Sequence, residues 1–175
     1  MPHPLTLLLH CCDTWQKLAA EGHVLANQPQ QTETWEALRQ IQEKLLFPLE
    51  QRYGQVDLSY GFAGPELVKR VRQQAEQDGR LPNIHPPGDQ HAGHELNRNG
   101  QRICKRDGIA VDLRVPGVSS EEVATWVIEN LPFDRLYLYG AARPFHLSWA
   151  PMPVGQVVRM LPRKAGGLYP QVVKN

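Results

Sequence analysis

The sequence predicts an α+β fold, with N-terminal helices packed on a small, mostly antiparallel sheet. Three observations predict it. Residues 13–79 hold segments whose apolar side chains recur at helical spacing. Residues 109–149 alternate apolar and polar side chains around one further helix, which is the period of strands. The helical segments precede the strands instead of alternating with them, as they would in a doubly wound α/β chain.

Each element has its own signal. Leu5–Cys12 is short and apolar, and reads as a buried strand or a packing segment. Asp13 reads as a helix cap, because its carboxylate can accept from the free N–H groups that follow. That helix runs to about Glu21 and stops at Gly22. The next helix is the clearest. Thr32 or Thr34 can cap it, and Trp35, Leu38, Ile41, Leu45 and Leu49 form one apolar stripe. Pro48 is expected to kink or shorten it, and Gly54 to end it. Val56–Phe62 reads as a strand. Pro65 opens a third helix, where a missing N–H costs nothing, with Leu67, Val68, Val71 and Ala75 on its buried face.

Residues 80–102 are rich in Pro, Gly and Asn and read as a loop long enough to be functional. Beyond it, Ile109, Val111, Leu113 and Val115 share one face of a strand, with Ala110, Asp112 and Arg114 on the other. Ser119 with Glu122 forms a capping-box pattern ahead of a helix through Leu131, which Pro132 ends. Leu136–Tyr139 and Phe145–Trp149 read as strands joined by the turn 140–144. From Ala150 the chain reads as a tail, with Val157, Val158, Met160 and Leu161 packing back. The whole 175 residues fit one domain, its core expected over about 31–150.

Composition narrows the function. Lys and Arg number 19 and Asp and Glu 18, a net charge of +1, which argues against nucleic-acid and membrane-surface partners. The basic run Arg98, Arg102, Lys105 and Arg106 is local and reads as a solvated face. No apolar run approaches a membrane span, and Leu5–Leu9 is too short for a signal-peptide core. Three cysteines, two of them adjacent, do not suit a disulfide framework. A cytoplasmic protein is expected, although a phage-encoded one would read the same.

The chemistry concentrates in polar residues placed where the pattern predicts burial. Asp112 stands mid-strand between Val111 and Leu113, and His146 between Phe145 and Leu147. Taken alone, Asp112 suits a turn cap or an ion pair, and His146 a satisfied core histidine. If both face the same way in one sheet, they converge, and one more His from the preceding loop completes a zinc site with an open fourth position. The loop offers His85, His91 and His94. His85 is flanked by Pro86 and Pro87 and reads as solvated. Zinc in such a site activates water and polarises a carbonyl, which fits amide hydrolysis.

Residues 35–149 resemble the M15-type D-alanyl-D-alanine carboxypeptidases and endolysin peptidases, whose fold is shared with the zinc domain of Hedgehog. The likeness lies in Leu45–Leu49 followed by Tyr53-Gly54 and the strand Val56–Phe62, in Asp89-Gln90-His91, in Gly108-Ile109-Ala110-Val111-Asp112, and in Phe145-His146-Leu147-Ser148. The resemblance implies a Hedgehog/DD-peptidase-like fold with His91, Asp112 and His146 as ligands of Zn2+. It also implies a peptide or peptidoglycan-type substrate, and hydrolysis by metal-activated water.

The departures are specific. His91 stands 21 residues before Asp112, much farther than in the family, so residues 94–107 read as an insertion. Lys105 occupies the family's ligand spacing, with Cys104 beside it. Cys104 and His94 are therefore alternative ligands to His91. Ala63 stands where the family has an arginine. Arg143 stands three residues before the last His, where the family has its carboxylate base, and an arginine cannot take up a proton. Glu95, Asp89 and Asp107 are the nearby acids that can take over that role, with Arg143 as the electrophile. The alternative is a catalytically inactive metal-binding interaction module on the same fold.

Overall fold

The computed structural model of the chain describes residues 5–79, 88–164 and 166–174. Its order begins with α1 (Leu5–His10) and α2 (Asp13–Ala20). The first apolar run is thus a helix rather than a strand. A short apolar run carries no period that separates the two. Leu8 and Leu9 are buried in the main core, and Leu8 O accepts from Phe62 N at 2.8 Å. Asp13 is the first helical residue rather than the cap, a place where its charge suits the helix dipole.

α3 (Thr32–Ile41) passes through a π turn (Gln42–Leu46) into α4 (Phe47–Tyr53). At Pro48 the helix is distorted but continues. The turn ahead of it widens, with Phe47 N bonded to Gln42 O, five residues back. The wider turn makes room for a ring that would otherwise strike the carbonyl four residues back. Gly54, with φ 80°, ends the helix as expected. Buried Leu38, Ile41, Leu45, Leu46 and Leu49 lie along it.

β1 (Asp57–Tyr60) and α5 (Pro65–Gln77) follow, and then a 3-10 turn (Gln90–Ala92) inside the expected loop. His85 lies outside the described residues. Next come β2 (Ile109–Arg114), α6 (Ser120–Asn130), β3 (Arg135–Leu138) and β4 (Phe145–Trp149). Ser119 caps α6 through Glu121 N rather than Glu122 N. The segment read as a tail supplies two more strands, β5 (Gln156–Pro162) and β6 (Leu168–Lys174). Pro and Gly around them masked their alternation, and β5 pairs with a strand that is distant in sequence.

The architecture is α+β around a six-stranded mixed sheet of order β1-β2-β4-β3-β5-β6. Neighbours are antiparallel except β3 and β5, which are parallel. One face carries Val111, Leu113, Phe145, Leu147, Leu136 and Val157. It packs against α1, α3, α4 and α6 in a single apolar core. Arg159 of β5 ties to Glu121 at the start of α6 by two 2.7 Å bonds. Buried Asn27 joins three elements: Nδ2 donates to Leu9 O and Phe62 O, and Oδ1 accepts from Gly64 N.

The opposite face holds one polar row. Cross-strand register sets Tyr60 against Asp112, Asp112 against His146, and His146 against Tyr137. Side chains of one sheet row on one face are direct neighbours. The alternation that buries Val111 and Leu147 on the core side therefore brings Asp112 and His146 together on the other.

Candidate metal centre

His91 reaches this row from the 3-10 turn. Its Nε2 lies 3.2 Å from Asp112 Oδ1 and 3.2 Å from His146 Nδ1, and His146 Nδ1 lies 3.0 Å from the same Asp112 oxygen. Three ligand-type atoms thus form a nearly equilateral triangle. Tetrahedral zinc with nitrogen and oxygen ligands at about 2.0–2.1 Å needs ligand atoms about 3.3–3.4 Å apart. His91, Asp112 and His146 can hold a metal ion in this arrangement.

The surroundings set the tautomer of His91. Its Nδ1 lies 2.9 Å from Gly61 O, and a carbonyl only accepts, so Nδ1 carries a hydrogen. The neutral ring then offers the Nε2 lone pair to the triangle, which is the outer-partner arrangement metal-bound histidines use. Further bonds hold the turn. Asp89 Oδ1 accepts from His91 N at 3.1 Å, and His91 O accepts from Ala63 N at 2.9 Å. Gln90 Nε2 donates to Asp107 O and to buried Asp134 Oδ2, at 2.8 and 2.9 Å.

Without a cation, protons must hold the triangle together. Burial alone lowers the pKa of His91, but the Asp112 carboxylate, helped by Asp89 and the Gly61 carbonyl, outweighs it and pushes the value up to about 9. Burial likewise opposes ionisation of Asp112, yet His91 and His146 hold its carboxyl well below the usual range. A folded-state pKa above the ordinary 6.5 gives stability that is complete below pH 6.5 and is lost as pH rises toward 9. The chelator-treated chain is therefore expected to melt at lower temperature at pH 9.5 than at pH 6.5. Zinc must displace that proton, so its affinity should rise about tenfold per pH unit below pH 9. Calorimetric melting and zinc titration across this window check both. A flat profile in each would contradict the His91–Asp112 coupling.

The triangle opens on a cleft of about 700 Å³. Around it stand Ser59, Tyr60, Asp89, Arg106, Tyr137, Tyr139 and Arg143, with Met160, Arg163, Leu168 and Pro170 from the C-terminal hairpin. Aromatic edges frame the histidines. Tyr60 meets His91 at 4.6 Å between ring centres, and Tyr137 meets His146 at 5.2 Å. Burial pushes the Tyr60 and Tyr139 hydroxyls far above their ordinary pKa, so both stay protonated.

The structure brings His91, Asp112, His146, Arg143 and Asp89 to one cleft and sends Glu95, Asp107, His94 and Cys104 elsewhere. Glu95 does not line it. Its carboxylate is buried and accepts from Gln30 N, Gln31 N and the Thr34 hydroxyl at 2.9–3.2 Å, which anchors the start of α3. His94 Nε2 accepts from Gly108 N at 3.2 Å, and buried Cys104 accepts from Arg106 N. Neither joins the triangle. Asp107 is paired with Arg102 at 2.6 Å. Asp89 alone of the proposed acids lines the cleft.

The sequence expectations do not include Tyr60, Tyr137, Tyr139 or Arg163, and Arg106, read as part of a solvated basic run, stands in the cleft wall instead. The period-2 alternation of Tyr137 and Tyr139 with Leu136 and Leu138 was a usable signal for two of them. Nothing local marks Arg163. Comparison with known proteins adds no relative: no family model matches the chain, and no curated protein or solved structure matches it.

Proposed function

We propose that the chain is a zinc-dependent peptidase of the Hedgehog/DD-peptidase-like type, hydrolysing an amide in a cell-wall-type or D-amino-acid-containing peptide. The observation that carries this reading is the His91–Asp112–His146 triangle at an open cleft. Three protein ligands leave a fourth position for water or substrate. Zinc, when bound, supplies Lewis-acid polarisation of a carbonyl and an acidified water.

The chain's own residues divide the remaining work. Gly61 O and Asp89 orient His91. Tyr60, Tyr137 and Tyr139 wall the site with aromatic surface. Arg143, its guanidinium 5.6 Å from the Tyr139 ring centre, supplies fixed positive charge for a polarised carbonyl or an anionic group. Asp89 is the carboxylate in place for proton transfer.

One observation favours a second reading, an inactive metal-binding interaction module. Arg143 occupies the position where the resembled family has a carboxylate, and Glu95 is spent on α3. Incubating the zinc-loaded chain with peptidoglycan fragments separates the two. Amide cleavage that stops on chelation and returns with zinc supports the peptidase. Full zinc occupancy without cleavage leaves the binding module, and absence of bound zinc removes both.

A further inference from the structure

The cleft gathers arginines from separate parts of the chain. Arg106, Arg143 and Arg163 line it, together with two carboxylates, Asp89 and Asp112. Both acids are already engaged, Asp112 with the two histidines and Asp89 with the His91 N–H.

The three arginines differ in how they are held. Arg106 Nη1 donates to Gly88 O at 3.2 Å and to the Tyr137 hydroxyl at 3.1 Å, which fixes it in the wall. Arg143 rests over Tyr139, and neither it nor Arg163 has a carboxylate partner among the described residues. Both are exposed. Elsewhere, Arg39, Arg102, Arg114, Arg135 and Arg159 each pair with an acid. Arg143 and Arg163, by contrast, stand at the cleft that holds the metal triangle. They reach it from separate elements, Arg143 from the turn before β4 and Arg163 from the end of β5.

Guanidinium groups match the planar geometry of oxyanions, and low-dielectric cleft walls strengthen the local field. Two such groups at the rim of one open cleft suit a single anionic group on a small ligand. A polyanion needs an extended basic stripe instead.

We propose that Arg143 and Arg163 form an oxyanion-binding rim, and that the ligand of this cleft carries a carboxylate or phosphate that docks on them. The inference deepens the peptidase reading, since it rests on the cleft being the substrate site, but it does not depend on zinc. It can therefore be tested on the chelator-treated full-length chain at low salt. Inorganic phosphate, N-acetyl-dialanine and the carboxamide of that dipeptide are titrated by calorimetry. The expected result is binding of phosphate or of the peptide acid. That affinity falls at least tenfold in R143Q/R163Q and is largely kept in R143K/R163K, while the melting temperature stays unchanged.

Discrimination between acid and carboxamide identifies a terminal carboxylate, and binding of phosphate alone identifies a phosphoryl group. The inference is overturned if neither anion binds, if acid and amide bind alike without phosphate binding, or if the double glutamine variant binds as the parent does. Zinc content is measured on the same proteins. Anion binding in a chain that takes no zinc would keep the rim and sink the peptidase.

Discussion

Replacing Asp112 by Ala should reduce bound zinc from one per chain to background, and His146→Ala should do the same. Each change removes one corner of a triangle whose edges are 3.0–3.2 Å. Losing an outer partner of a metal ligand costs about 10–100-fold in affinity, and losing the ligand itself should cost more than that range. The fold should survive Asp112→Ala. His91 is held charged chiefly by Asp112 against the pull of burial, so without that carboxylate the ring becomes neutral and leaves no bare buried cation. Elemental analysis gives the metal content and thermal melting the fold. His94→Ala and Cys104→Ala serve as comparisons. Those side chains bond to the backbone at Gly108 and Arg106, so zinc should remain at parent level. Full zinc in both ligand variants would refute the site.

Gly108→Ala should be among the most damaging single substitutions in the chain. Gly108 has φ +80°, and a Cβ there would collide with the Trp149 carbonyl and come within 2.7 Å of Ala150 Cα. An L-residue in the left-handed region costs about 1–2 kcal/mol before any clash. With backbone overlap added, the total should exceed about 3 kcal/mol, a fall in Tm of roughly 6–12 °C for a chain of this size. The neighbouring residue Ile109 pairs with Trp149, and three residues further along the same ladder Asp112 pairs with His146. Strands forced apart at Gly108 disturb the metal row as well, so zinc affinity should fall together with Tm. Gly117→Ala is the matched control, with φ +75° and nothing within 4 Å of an added Cβ. Equal losses in the two variants would show that close approach at Trp149 is unimportant.

Two corners of the triangle, Asp112 and His146, are legible in the sequence because their signals are local. Asp112 and His146 each stand between apolar neighbours in a strand pattern, and the pairing of β2 with β4 supplies the shared face. The Gly108–Asp112 segment also makes physical sense. Gly108 passes under the Trp149 carbonyl, and Ala110 is fully buried. What escaped the reading depends on distant partners. Glu95 reads as an acid able to take the base role, yet backbone donors at Gln30 and Gln31, more than sixty residues earlier, claim it. β5 lies beside β3 in parallel although β4 separates them in sequence. No pattern within residues 156–162 announces that pairing. The π turn ahead of Pro48 is equally illegible, since it consists of ordinary helix-forming residues.

The spacing of the three corners has a mechanical side. Bound metal would cross-link positions that are 21, 34 and 55 residues apart, in a chain whose three cysteines are all free. Such a tie closes two long loops at once, and loop closure that is already satisfied in the native chain need not be won again at each opening. Any agent that binds only the folded chain also draws the equilibrium toward it. The ion would therefore be a staple as much as a reagent. Scarcity of metal would first be felt as local opening of the 89–107 segment and faster proteolysis there.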